Sequence, residues 1–418
     1  MRGGTENDRT WWQRAVARGF DPAPAPWGPV TVVRAGETVP PEERERAAKT
    51  PEEYEQAAET LASRLPHGGL GVLLPSYVAR CDAPAHTTAF HHLRGALAEV
   101  RAAHPDLPLT VWLGMQYGPG EYEEALLRLR RLTELAPADT VGFALPGPGK
   151  PRTVNAALHL SRHLGHTGWL WTDDDIQLAP GCLPRLVTRF RERGHTGAVG
   201  AQLTALSRPS AASRTMDRIS GVTVPPDAYP SAACMLVATD VVAGGIPARR
   251  LADDGHVLFE LLDPDAPDPL HDLEVLPDAR GSFYRVSRTH DTLRRLRRSL
   301  YSHVTCTSDY PWATSRTYLT RILFHGLWPL APWDGSGGTA RGLKRWTIKA
   351  VHLTWFCAVA GELAVRGLAG RPLRQVAWGD EGDFQSPAAE AGPGGGGVRP
   401  GRSDGGGGTH ADVRTGVG

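Results

Sequence analysis

The 418-residue chain has few cysteines, few lysines and almost no net charge. Its five cysteines, at positions 81, 182, 234, 306 and 357, lack CxxC spacing, which argues against a disulfide framework or a cysteine-based zinc module and favours a reducing compartment. A formal net charge of +1, without an extended basic and aromatic pattern, argues against nucleic-acid binding. The first residues are charged and polar instead of apolar, so they do not resemble a secretory leader, and the chain is expected to be cytoplasmic.

The central part of the chain alternates between two kinds of hydrophobic pattern. Between positions 69 and 206, short apolar runs such as residues 70–74 alternate with longer helix-like stretches such as residues 87–103. This alternation is typical of βαβ units. It predicts an α/β fold with a mostly parallel sheet flanked by helices.

Composition divides the chain into four predicted parts. Residues 1–68 mix a Pro-rich stretch, a short strand-like run and an acidic helix-like run, and they are interpreted as an accessory extension. Residues 69–304 form the main domain, and residues 305–379 form a helical C-terminal region. The Gly-rich residues 380–418 are expected to be disordered.

One stretch of the C-terminal region, residues 346–368, is long enough to cross a bilayer. Lys349, His352, Glu362 and Arg366 argue against a membrane span, because charge is costly inside a bilayer. The sequence therefore predicts a packed helix. The alternative is a helix that lies in a membrane interface with its tryptophans, as a peripheral contact at the inner face of the membrane.

Three adjacent carboxylates, Asp173, Asp174 and Asp175, end an apolar run. Such neighbours repel one another, and a bound cation is one reason to tolerate them. If the run is a buried strand, Asp173 and Asp175 point to the same side of its carboxyl end, where open α/β sheets bind ligands. This predicts Mg²⁺ or Mn²⁺ together with a nucleotide diphosphate. The alternative is a solvated acidic turn.

Three further segments carry charged residues at the ends of predicted helices or along them. Lys150 lies at a Gly/Pro turn that opens a helix, where a positive charge suits an anion. Asp253 and Asp254 open a later apolar segment, either as helix-terminal carboxylates or as a catalytic pair. The basic run of residues 285–298 is either a solvated helix face or a partner for acidic groups.

In order and spacing, these pieces resemble the family 2 inverting glycosyltransferases, which have the Rossmann-like GT-A fold. The resemblance covers roughly residues 69–304. It matches residues 72–77 to the first strand, residues 149–158 to the segment before the metal strand, residues 173–175 to the DxD motif and residues 251–254 to the ED-like motif.

The resemblance implies a role for each acidic residue. Asp173 would contact the ribose or help hold the metal, and Asp175 would bind the metal that bridges the donor diphosphate. Asp254 would be the general base that deprotonates an acceptor hydroxyl, with Asp253 raising its pKa or taking its place. His290 resembles a histidine that lies near the metal in many members. The implied donor-binding residues are Pro75, Tyr77, Lys150, Asp173, Asp174, Arg294, Arg297 and Arg298.

The sequence departs from the family at the expected base-recognition site. Residues 75–77 and 111–117 lack the carboxylates that many members carry after the first two strands, one of which reads the uracil of a UDP-sugar. Base recognition then falls to Tyr77, to backbone groups or to Gln116. The Gln-x-x-Arg-Trp signature of processive synthases is also absent near residues 294–298, which favours a single transfer.

The sequence therefore predicts a metal-dependent, hexosyltransferase-like enzyme of the family 2 type. It would move one sugar from a nucleotide-sugar, with a UDP-sugar favoured, to a hydroxyl of a small-molecule or lipid-like acceptor. A sugar-phosphate nucleotidyltransferase is one alternative, although the opening strand lacks the Gly-rich triphosphate signature of that class. A catalytically inactive GT-A module that binds a sugar or a partner is the other.

Overall fold

A computed structural model describes residues 8–21, 29–35, 50–80, 83–136, 139–147, 149–206, 214, 228–247, 249–284, 289–327, 330, 338–374 and 376. The Gly-rich segment predicted to be disordered, residues 380–418, and Cys81 lie outside these ranges. The cysteines within them are free thiols, and Cys182, Cys234 and Cys306 are buried while Cys357 is exposed. The described residues form one nine-stranded sheet that is covered by helices on both faces.

The sheet is built from strands along most of the described chain. In chain order they are β1 (Thr31–Val33), β2 (Leu70–Tyr77), β3 (Leu109–Tyr117), β4 (Thr140–Pro146), β5 (Gly168–Thr172), β6 (Gln177–Leu178), β7 (Ala198–Leu206), β8 (Cys234–Ala238) and β9 (Leu273–Tyr284). Their spatial order is β1-β4-β3-β2-β5-β8-β7-β9-β6.

Parallel pairing dominates the centre of this sheet. Strands β4, β3, β2 and β5 run parallel, and β7 runs parallel to β9. Strand β8 is antiparallel to both of its neighbours, as are the short edge strands β1 and β6 to theirs. The predicted α/β class, with a largely parallel sheet flanked by helices, is confirmed.

The helices follow the predicted alternation closely. They are α1 (Trp11–Gly19), α2 (Pro51–Ala62), α3 (Ala83–Ala103), α4 (Tyr122–Glu134), α5 (Lys150–Leu160), α6 (Cys182–Glu192), α7 (Thr239–Val242), α8 (Asp253–Leu261), α9 (Thr289–Asp309), α10 (Trp312–Thr317) and α11 (Gly338–Leu368). A short 3₁₀ turn (Val78–Arg80) follows β2, and a π-helical turn (Tyr318–Leu323) continues α10.

Two hydrophobic cores sandwich the sheet. Alternate residues of β2 enter opposite cores, with Val72 and Leu74 facing α3, α4 and α6, and Leu73 facing α2, α5 and α8. Because both faces are covered, β2 reads as a nearly continuous apolar run instead of an alternating one. Its last two residues, Ser76 and Tyr77, are partly exposed, so polar groups reach solvent at this end of the strand.

A third core joins the N-terminal helix to the C-terminal helices. It contains Val16 of α1, Leu258 of α8, Tyr301 of α9 and Phe356 of α11. Helices α1 and α11 approach so closely that a Cβ atom at Gly19 would collide with the carbonyl oxygen of Leu363. Only glycine allows this contact, and α1 packs α11 closely against the rest of the protein.

The described part of residues 1–68, predicted to be an accessory extension, packs against the main sheet and the C-terminal helix. Strand β1 pairs with β4, α2 packs against α5, and α1 packs against α11. The physical reason is the burial of Val33 and Tyr54, which are among the least exposed residues of the structure. These residues complete the sheet and both of its neighbouring cores.

Candidate active site at the carboxyl ends of the strands

The acidic triplet lies where β5 ends, beside the end of its parallel neighbour β2. Asp174 turns toward β2, accepts a hydrogen bond from Ser76 Oγ at 2.8 Å and lies 3.6 Å from His86 Nε2. Asp173 turns to the other side, toward α5 and α8. The strand alternation predicted for the triplet is therefore present for Asp173 and Asp174. Asp175 is buried in the turn that follows.

Lys150 connects the triplet to the second acidic pair. Its Nζ donates to Asp173 Oδ1 at 2.6 Å and to the carbonyl oxygen of Ala232 at 2.7 Å, and it lies 3.0 Å from Asp253 Oδ2. Burial alone would lower the pKa of Lys150, but the charges of Asp173 and Asp253 outweigh it and hold that pKa above its ordinary value. Lys150 is therefore a permanent cation between two acidic segments.

The backbone in front of α5 places Lys150 at this position. Gly149 has a φ of +143°, a conformation that side-chain-bearing residues rarely adopt. The amide of Gln116 donates to Gly149 O at 2.7 Å and to Thr153 Oγ1 at 2.8 Å, and it accepts from Gly149 N at 3.0 Å. Gln116 is buried and uses both of its N–H donors to hold this turn, so it has no N–H left to donate to a nucleotide base.

The start of α8 is held by residues that sequence reasoning missed. Asn155 donates to Ile246 O at 2.7 Å and accepts from Ile246 N at 2.6 Å, which fixes the turn that precedes α8. Arg250 is buried, lies 2.8 Å from Asp309 and covers the ring of Tyr310. The one available signal for Asn155 was a polar residue inside the apolar helix segment 153–158.

The two carboxylates at the start of α8, Asp253 and Asp254, have different surroundings. Asp253 faces Lys150, whereas Asp254 Oδ1 accepts from Gly255 N at 2.8 Å. Burial raises the pKa of Asp254 to about 6, with the charge of Asp253 adding to the effect and Lys150 opposing it. Asp254 is thus a carboxylate that accepts a proton more readily than an ordinary aspartate.

Crowding of negative charge also affects Asp173. Burial raises its pKa to about 6, Lys150 opposes this, and the charges of Asp175 and Asp253 add to it. Two carboxylates that repel each other at a strand end supply the hard oxygen ligands that Mg²⁺ and Mn²⁺ prefer, and such ions are commonly held by one or two carboxylates plus phosphates and water. The donor chemistry of Asp173 and Asp175 therefore fits the predicted cation.

Of the predicted basic residues on α9, the structure brings Arg298 nearest to the acidic pair. Its guanidinium donates to the carbonyl oxygen of Leu251, just before α8, and its charge opposes the raised pKa of Asp254. Arg294 lies one helical turn away on the same side of α9. Arg297 instead covers the ring of Tyr301 at 5.4 Å, on the side of α9 that meets α11.

His290 lies in the first turn of α9 and is 68% exposed. Its Nδ1 is 3.7 Å from Asp291 Oδ1, and within the described residues it forms no ion pair with Asp173 or Asp175. Pro75 is buried in β2 opposite Gly114, and Tyr77 is partly buried at the end of that strand. The structure therefore assembles Lys150, Asp173, Asp253 and Asp254 directly, and leaves His290 apart from them.

Comparisons with known proteins return solved glycosyltransferase structures at low similarity. A mannosyltransferase from Pyrobaculum calidifontis, solved with GDP-Man and Mn²⁺, shares 17% identity over 78% of this chain and 96% of its own, with a TM-score of 0.41. Staphylococcus aureus TarS 1-349 with UDP-GlcNAc shares 12% over 72% and 88%, with a TM-score of 0.35.

Glucosyl-3-phosphoglycerate synthase from Mycobacterium tuberculosis, solved with Mn²⁺, UDP and glucosyl-3-phosphoglycerate, shares 14% identity over 62% of this chain and 82% of its own, with a TM-score of 0.36. No protein-family model and no curated protein matches the chain. These values establish no family membership, and what the site can do follows from its own geometry.

Proposed function

We propose that this protein is a metal-dependent inverting glycosyltransferase with a GT-A-type, family 2-like architecture. It transfers one sugar, a hexose by resemblance, from a nucleotide diphosphate donor to a hydroxyl of a small-molecule or lipid-like acceptor. The observation that supports this most directly is Lys150, whose ammonium group contacts both Asp173 at the strand end and Asp253 at the start of α8. The two acidic segments are therefore parts of one site.

In this proposal the strand end binds the donor. Asp173 and Asp175 would hold Mg²⁺ or Mn²⁺, which would supply positive charge for the diphosphate. Lys150 and Arg298 add fixed positive charge on the same side, with Arg294 next to Arg298. Tyr77 offers a ring at the end of β2 for a base. Asp174 supports the turn through Ser76 and His86.

The start of α8 supplies the base. The oxygen of the acceptor hydroxyl attacks the anomeric carbon while the bond from that carbon to the diphosphate breaks, and the hydroxyl proton passes to Asp254. Attack on the face opposite the leaving group inverts the configuration. Asp253 is held by Lys150, so Asp254 is the carboxylate left to accept the proton. Its raised pKa suits that role.

A thermal-shift screen of UDP-, GDP-, dTDP- and ADP-sugars, with and without Mn²⁺, tests the donor half of this proposal, because a ligand of the folded state raises the melting temperature. We expect a shift with one nucleotide that requires the metal and is lost in Asp175→Asn. Asp278→Asn, which alters an exposed aspartate, is the matched control and keeps the shift. Equal shifts in wild type and Asp175→Asn would contradict the metal assignment.

The product distinguishes the alternatives. Release of a nucleoside diphosphate supports transfer of the sugar, whereas release of pyrophosphate from a nucleoside triphosphate and a sugar phosphate would indicate a nucleotidyltransferase. Metal-dependent donor binding without any turnover across an acceptor panel would favour an inactive binding module.

A further inference from the structure

The outward face of α11 is apolar along most of its length. The opposite face packs into the third core through Phe356, Val359 and Leu363. The large apolar side chains that remain exposed are Leu343, Trp346, Val351, Trp355, Val365 and Leu368. Trp355 is 60% exposed and Val365 is 66% exposed. We call these six residues the α11 strip.

Charge is nearly absent from the α11 strip. Within the described part of α11, the charged residues between positions 346 and 368 are Lys349, which is buried, and Glu362 and Arg366, which pair with each other at 2.9 Å. The segment Gly342–Leu368 is long and apolar enough to cross a membrane by length and composition, and only 22% of its apolar 18-residue window is buried. A surface helix of a water-soluble protein ordinarily turns polar residues outward. A contiguous apolar strip marks an interaction surface.

Exposed cations border the α11 strip on two sides. Lys344 is exposed and Arg345 partly exposed at the start of the helix. The neighbouring helix α9 exposes Leu293, Arg295, Leu296 and Arg297, and the hydroxyl of Tyr301 on α9 donates to Glu362 on α11.

The acidic residues of α9 do not offset these cations at the surface. Asp291 is buried, and Asp309 is buried against Arg249 and Arg250. The surface shared by α9 and α11 is therefore both apolar and basic.

We propose that the α11 strip docks on an anionic lipid bilayer, with α11 lying in the plane of the interface. Tryptophans have an apolar ring and a polar N–H, and they are stable at the depth of the headgroups. Basic residues beside them are attracted to anionic lipids. This interaction goes beyond the proposed sugar transfer and does not depend on it.

Two observations favour this occupant over others. A membrane-spanning position would require α11 to leave Val16 of α1 and Tyr301 of α9, which pack against its other face. In a symmetric pair of chains, each basic border would meet a surface of the same composition, whose described carboxylate, Glu362, is already paired with Arg366 and Tyr301. A bilayer with anionic headgroups satisfies both the apolar and the basic part of the surface.

Vesicle flotation with the full chain tests the proposal without any donor or acceptor. We expect binding to phosphatidylcholine vesicles that contain about 30% phosphatidylglycerol, little binding to phosphatidylcholine alone, and release as salt is raised. Trp346→Ser with Trp355→Ser should lower the bound fraction at least about tenfold, because both rings lose their apolar contact. Lys344→Glu with Arg345→Glu should also weaken binding and reduce its salt dependence, while Arg295 and Arg297 remain.

Leu127→Ser is the matched control, because Leu127 is an exposed apolar residue on α4. It should float like wild type, and circular dichroism checks that each variant folds. The variant with Lys344→Glu and Arg345→Glu changes surface residues, so it still tests the proposal if the tryptophan variant unfolds. The proposal is overturned if wild type does not float, if neither double variant weakens binding, or if the strip instead closes a dimer that the tryptophan variant dissociates.

Discussion

The two acidic segments of the site differ in how their carboxylates are used. At the end of β5, Asp173 and Asp174 turn to opposite sides, one toward Lys150 and the other toward Ser76. At the start of α8, Asp253 is engaged by Lys150, while Asp254 Oδ1 accepts the backbone N–H of Gly255. In the proposed reaction, the strand end therefore holds the charged donor, and the helix start keeps one carboxylate available for a proton.

Removal of the proposed base, Asp254, should cause the largest loss of turnover, and it should affect the helix start without the strand end. Asp254→Asn keeps the shape of the side chain but cannot take a proton, so we expect turnover to fall by roughly 10³-fold or more. Metal-dependent donor binding should stay unchanged, because the strand end is intact. Turnover and donor-induced thermal shift are measured on the same preparation. Retained turnover would move the base to another residue, with Asp253 examined next.

Loss of the bridging cation should affect both segments together. Lys150→Met preserves the length of the side chain but leaves Asp173 and Asp253 without their shared partner. We expect donor affinity and turnover to fall together, each by about 10- to 100-fold, because two buried carboxylates lose a charge-assisted contact. Lys150→Arg is the charge-preserving control and should recover part of both. An effect on only one of the two quantities would contradict a shared role.

Weakening the support of α8 should affect the helix start alone. Asn155→Ala removes both hydrogen bonds to Ile246 and leaves its buried N–H and carbonyl oxygen without the partners they have now. We expect a loss of about 1–3 kcal/mol in the free energy of unfolding. Turnover should fall while donor binding is kept, as measured by denaturant titration and kinetics. Asn155→Asp, which places a charged oxygen against the Ile246 carbonyl oxygen in place of the donating nitrogen, should be at least as severe.

The smallest expected effect is a shift in pH dependence. The pKa of Asp254 is raised to about 6, and a base must be ionised, so kcat/KM should rise with pH up to about 6 and then level off. Asp253→Asn removes a like charge that raises this pKa, so the acid limb should move to lower pH. The measurement is kcat/KM between pH 4.5 and pH 8, on the order of tenfold per unit on the acid limb. An unmoved limb would separate Asp253 from the titration of its neighbour.

Local patterns in the sequence were sufficient for most of the fold. Buried parallel strands are apolar runs of fixed length, so β2, β3 and β5 could be located, and the amphipathic stretches gave α3 to α6. The pairing of β1 with β4 could not be read in the same way. It joins residues more than 100 positions apart, and a three-residue strand carries almost no pattern of its own.

The same division applies to the site. The carboxylates were identified because acidic residues at element boundaries stand out, and Lys150 because lysine is rare in this chain. Its contacts were not predicted. A bound anionic ligand was expected beside Lys150, whereas its ammonium group contacts two carboxylates of the protein itself. Asn155 and its partner Ile246 are separated by 91 positions, and the sequence around either residue does not indicate their contact. Gln116 was considered for base recognition, yet its amide holds Gly149.

The position of Lys150 bears on whether the protein stays folded without metal. Many small metal-binding domains fold only when the metal is bound, because metal binding supplies part of their folding free energy. Here a side chain of the protein itself acts as a resident counter-ion among the carboxylates. Under the proposed metal dependence, loss of the cation would stop turnover without unfolding the protein, and turnover would return when the cation is restored.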